Sequence, residues 1–163
     1  MPIRSVLRFS IKELLRDFPF VVVLTTILLT ACTSEEEIQV HSPWMMPAFQ
    51  SNNAAVYFRL YNHTSEGDLL TGVSSEAADA VELDESTING NLVEMRQAEH
   101  VLLPASTEVK FRSGALQVML IGLRQDIKLN DEIEIILHFL HYADLVVKVP
   151  VLNFPPPESE GHH

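Results

Sequence analysis

From residue 38 onward the chain alternates apolar and polar residues with a period of two, in runs of four to eight residues cut by turn-forming residues. That period places successive side chains on opposite faces of a pleated strand, whereas a helix needs apolar positions three and four apart. Nine runs are predicted as strands: 38–44, 55–61, 69–73, 80–84, 92–96, 108–111, 116–120, 132–139 and 145–151. Turn chemistry separates them. Asn89-Gly90 suits a tight hairpin because both residues tolerate positive φ, and Glu66-Gly67-Asp68, Ser113-Gly114 and Asn130-Asp131 punctuate other junctions. Residues 74–79 could form one helical turn, too short to change the class. Strand spacing of this kind predicts an all-β sandwich or barrel.

Residues 1–31 differ from the rest. Arg4, Arg8, Lys12 and Arg16 precede an apolar stretch of nine, 21–29, which is too short for a helix crossing a hydrocarbon core of about 30 Å. A cleaved export signal fits this pattern. The final Leu29-Thr30-Ala31-Cys32 resembles the lipobox of bacterial lipoproteins, where the cysteine receives diacylglycerol and becomes the new amino terminus. Cys32 is the chain's one cysteine, so the domain has no thiol pair for a disulfide. The expected organisation is a signal peptide over 1–31, a lipidated Cys32 and acidic tether over 32–39, a β domain over 40–152, and a flexible Pro-rich tail over 153–163. The chain would then sit on the outer face of a bacterial membrane, facing the periplasm or the cell surface.

The leader holds four bases and two acids, so its removal takes the net charge from −11 to −13. Nucleic acid is excluded as a partner because phosphate binding needs a basic surface. Signatures of hydrolases, zinc proteases and phosphate-binding loops are missing, and no enzyme is expected.

Over residues 40–151 the order of segments resembles the periplasmic copper chaperones of the PCu(A)C type: a Trp-containing first strand, then AAVYFRLYN, LLTGVSSEAADAVELDES, VEMR, LPAS, FRSGALQVMLIGL and a strand ending in VKVPV. The resemblance implies a cupredoxin-like Greek-key fold. It also implies a Cu(I) cargo passed to a membrane-bound acceptor such as cytochrome c oxidase. The family's ligand pattern, His-x10-Met-x21-His-x-Met, falls on Asp84, Met95, Gln117 and Met119. Its spacing is kept, and both imidazoles are replaced.

Thioether sulfur suits the soft Cu(I) ion, whereas carboxylate and amide oxygen suit harder ones. A site of two thioethers, one carboxylate and one amide is expected to hold Cu(I) more weakly than the family's. The bland alternative is that the methionines fill irregular gaps in the apolar core. Further imidazoles are His41 near Met45 and Met46, His100 near Met95, His138 and His141 on opposite sides of a strand, and the terminal His162 and His163. Two functions stay open on these residues: a lipid-anchored copper handler with a weak site, or an interaction module that keeps only the fold.

Overall fold

The computed structural model describes residues 37–89 and 92–157; the leader, Cys32, most of the tether and the terminal histidines lie outside the described residues. Ten strands follow in order: β1 (Ile38–Met45), β2 (Ala54–Asn62), β3 (Asp68–Ser74), β4 (Ala78–Asn89), β5 (Leu92–Gln97), β6 (Val101–Leu103), β7 (Thr107–Phe111), β8 (Leu116–Leu123), β9 (Glu132–Phe139) and β10 (Leu145–Pro150). All nine predicted runs are strands, and β6 is additional. β1 starts at Ile38, two residues inside the expected tether. Residues 74–79 do not form a helical turn. β3 runs to Ser74, the Ser75 hydroxyl donates to the Glu134 carbonyl at 2.6 Å, and β4 begins at Ala78. The Asn89-Gly90 turn lies partly outside the described residues, and the ladder beside it pairs Asn89 with Leu92.

Two sheets form a sandwich. The larger has the order β1-β2-β7-β8-β4-β5 and the smaller β10-β9-β3-β6. Strand β2 is shared along its length: Ala54–Val56 pair with β8, and Phe58–Asn62 pair with β7. β4 is shared in the same way, lying against β8 from Ala78 to Glu85 and against β5 from Asp84 to Asn89. The alternation read from sequence is the burial pattern observed. On β2, Val56, Phe58 and Leu60 face inward while Tyr57, Arg59 and Tyr61 face out. Ile133, Ile135 and Leu137 of β9 meet them from the other sheet, with Val118 and Leu120 of β8 completing the core. Each such side chain contributes about 1.5–3 kcal/mol by leaving water.

Two buried polar side chains tie loops to this core. Asn62 has no exposed surface; its amide Nδ2 donates to the carbonyls of Glu66 at 2.8 Å and of Leu103 and Pro104 at 3.2 Å, and its Oδ1 accepts from the Thr64 N–H at 2.9 Å. Asp68 accepts from the backbone N–H groups of Leu69 at 2.7 Å, His141 at 3.1 Å and Tyr142 at 2.8 Å, with the His141 ring Nδ1 at 3.3 Å. Burial pushes the Asp68 carboxyl up, but the bonds from Leu69, Tyr142 and His141 outweigh it and hold the pKa below the ordinary 3.8. A folded-state pKa below the unfolded one makes the unfolded chain the better proton acceptor. The stabilisation is therefore present above pH 3.8 and is lost as pH falls through the lower folded value. Asp68→Asn is expected to cost about 1–3 kcal/mol at pH 7, with the gap to wild type narrowing below pH 3.8, as read from urea midpoints at both pH values.

Candidate metal centre

The four positions of the expected ligand pattern lie on β4, β5 and β8, where β4 passes from one neighbour to the other. Asp84 is the cross-strand partner of Gln117 on β8 and of Gln97 on β5. Directly paired residues share a face, and so do residues two apart on one strand. Ser86, two beyond Asp84, pairs with Met95; Met119, two beyond Gln117, pairs with Glu82 of β4 and Ala55 of β2. Leu83 and Val118, one step away on each strand, are buried in the core on the opposite side. Asp84, Met95, Gln117 and Met119 therefore all stand on the outer face of the larger sheet.

Contact between them is uneven. Gln117 Nε2 donates to Met95 Sδ at 3.4 Å, which bridges β8 and β5 across the end of β4. Gln117 is only 5% exposed although it faces outward, while Met95 is 55% exposed. Asp84 is half-buried, and desolvation pushes its carboxyl above the ordinary range. Met119 is half-buried one step along the same face.

The donor set combines two soft sulfurs with oxygen groups. Among the described residues no group of three or more His, Cys, Asp or Glu side chains could hold a metal ion, so the thioethers are the soft donors at this corner. Glu82, opposite Met119, was missed from sequence, although the period of two counted back from Asp84 places it on the same face.

The other imidazoles lie elsewhere. His41 shares the outer face with Arg59, its partner on β2, but Met45 is fully buried, so His41, Met45 and Met46 do not gather. His100 is exposed in the connection between β5 and β6. His138 Nε2 lies 2.8 Å from Ser74 Oγ and its Nδ1 lies 2.9 Å from Asp144, a chain that fastens the connection after β9. His141 lies beyond the end of β9 and is bound to Asp68, so His138 and His141 each have their own carboxylate.

The fold and the comparisons agree. A copper-bound PCuAC domain from PmoF2 superposes with a TM-score of 0.60 at 19% identity, covering 71% of this chain and 92% of that domain. The Cu(I) form of DR1885 from Deinococcus radiodurans gives a TM-score of 0.60 at 21% identity, covering 78% and 88% respectively. At such identities the likeness shows the fold, which is the cupredoxin-like sandwich of PCuAC domains. In sequence, a relative named "Putative lipoprotein Lxx21020", from Leifsonia xyli subsp. xyli, is 26% identical over 118 residues, which are 72% of this chain and 70% of the relative. The model of the family described as "Putative lipoprotein LpqE-like" matches residues 38–151, and the chain belongs to that LpqE-like family.

Proposed function

We propose that the protein is an exported, lipid-anchored copper handler that holds Cu(I) weakly on Met95 and Met119, with Asp84 and Gln117 as oxygen or supporting groups. The observation that carries this reading is the meeting of Gln117 and Met95 at 3.4 Å on the face that also bears Asp84 and Met119. Two thioethers on β5 and β8, the strands that flank β4, offer a soft ion two donors, and a weak site releases its cargo readily. Diacylglycerol on Cys32, with the residues between it and β1 as tether, would confine the β domain beside a membrane-bound acceptor such as an oxidase. Confinement raises the effective concentration without any new contact. The role is binding and delivery, with no catalytic step.

Anaerobic titration of the protein with Cu(I) against a chromogenic chelator tests the site. Met95→Ala and Met119→Ala are each expected to weaken binding by at least about tenfold, about 1.4 kcal/mol. Equal affinity in wild type and both variants would remove copper from this corner.

A second reading rests on the same bond seen from the other side. The Met95 sulfur already accepts a hydrogen bond from a buried amide, an arrangement that closes the corner without metal. In that case the family's fold serves as a docking module, and the titration finds no stoichiometric Cu(I).

A further inference from the structure

On the same outer face, toward the opposite edge of the sheet, lies a groove of about 380 Å3 between β1, β2 and the end of β7. A bulge at Ser42-Pro43, with Ser42 at φ 50°, inserts a residue into β1 so that His41 pairs with Arg59 and Trp44 with Tyr57. Trp44 and Tyr57 thereby form one wall, with ring centroids 5.2 Å apart and planes tilted by 42°. Arg59, its partner Lys110 on β7, and Arg112 just beyond β7 supply positive charge. Glu108 sits 3.4 Å from both Arg59 and Lys110. These are three of the seven Lys and Arg residues left once the four in the leader are set aside, in a part of the chain whose net charge is −13.

Part of this chain's own tail lines the groove. Val151 bridges to Met45 and the Leu152 N–H donates to the Met45 carbonyl at 2.8 Å, which brings Pro155 and Pro156 to the lining of the groove that also contains Trp44 and Tyr57. Pro156 is half-buried between exposed Pro155 and Pro157. Proline rings on flat aromatic faces are how polyproline II segments are recognised, because their preset backbone has little entropy left to lose. Guanidinium and ammonium groups beside such a wall select carboxylates. The chain's own sequence has that composition, three prolines followed by Glu158 and Glu160.

We propose that this groove is a docking cleft for an acidic, proline-rich segment of a partner protein, with Pro155 and Pro156 at its edge as a built-in competitor until the partner arrives. The inference holds whether or not copper binds, because the groove shares no residue with the Asp84, Met95, Gln117 and Met119 set.

Trp44 is the chain's one tryptophan, so its emission reports the groove directly. The full chain in mild detergent is titrated with the peptide Phe-Pro-Pro-Pro-Glu-Ser-Glu-Gly, and with the same peptide carrying Lys in place of both Glu. In a Pro155→Ser/Pro156→Ser variant the acidic peptide is expected to change Trp44 emission saturably and to bind about fivefold or more tighter than to wild type, since the internal competitor is weakened. Adding Lys110→Glu and Arg112→Glu is expected to cost about tenfold or more in affinity, with the circular dichroism spectrum unchanged. The Lys peptide should bind far more weakly than the acidic one. No saturable change in the proline variant, equal binding of both peptides, or indifference to charge reversal would each overturn the proposal. So would a Trp44 response to phosphatidylserine vesicles but not to the acidic peptide, which would mark a membrane contact. Concentration-dependent self-association that the peptide cannot reverse would assign the groove to a second copy and overturn it as well.

Discussion

Replacing Asp84 and Gln117 together by histidine is expected to tighten Cu(I) binding by about 100-fold or more, roughly tenfold for each imidazole gained. The two positions are direct cross-strand partners, so their Cβ atoms stand about 4.5–5.5 Å apart on one face, within reach of a shared ion. Met95 already touches the Gln117 side chain, and Met119 stands two residues along β8 on the same side. Two nitrogens would therefore stand beside the Met95 sulfur, with the Met119 sulfur next along the same face. Because the replaced residues are neighbours, the double change is not expected to equal the sum of the singles. The measurement is the same anaerobic competition titration, with Met95→Ala added to the double variant as a control that should lose most of the gain. An unchanged affinity would mean that the family's ligand spacing does not map onto these strands, and the copper reading would fall with it.

Asn62→Leu is expected to destabilise the domain by about 3 kcal/mol although it adds apolar surface to a buried position. Leucine is close to asparagine in shape but has no polar atoms. The Leu103 carbonyl and the Thr64 N–H would lose the Asn62 bond, and the Glu66 and Pro104 carbonyls would be left to the hydroxyls of Thr64 at 2.7 Å and Thr107 at 2.8 Å. Buried groups left unsatisfied cost about 1–3 kcal/mol each, offset in part where a loop relaxes to admit water. The effect is cooperative in position as well as in energy. Asn62 closes the end of β2, the loop over residues 63–67 and the β6–β7 connection, so its loss should loosen three segments together. Urea unfolding should show a lower midpoint with little change in slope, and amide exchange should quicken at Thr64 and Leu103 before the core. A destabilisation below about 1 kcal/mol would show that the loops hold themselves.

What the sequence made legible follows from the range of the interactions involved. Strands β2 and β9 alternate strictly over eight or nine residues, and a period of two is a local property that needs no knowledge of partners. β6 escaped notice because Val101–Leu103 is three residues long, too few to display any period, and it exists as a strand because β3 pairs with it. The bulge at Ser42-Pro43 was hidden for the opposite reason: the pattern of β1 slips by one residue where the backbone inserts one. The candidate metal face was visible as spacing, since positions 84, 95, 117 and 119 needed only the likeness to a known pattern. Their surroundings were not visible. The bond from Gln117 to Met95, the pairing of Glu82 with Met119, and the carboxylates bound to His138 and His141 depend on which strands lie side by side, and sequence distance carries no record of that.

The bulge of β1 also bears on how many copies can share a small area. β1 is the outermost strand of the larger sheet, and a bare outermost strand offers a row of free N–H and C=O groups on which another chain can build. Pro43 withholds one donor from that row, the extra residue beside it throws the following groups out of step, and Leu152 occupies the carbonyl of Met45. Pro43→Val would return that one donor to the row. If the proposed lipid anchor concentrates the protein in two dimensions, that variant would be more prone to edge-to-edge stacking, a hazard that Pro43 lowers together with the bulge and Leu152.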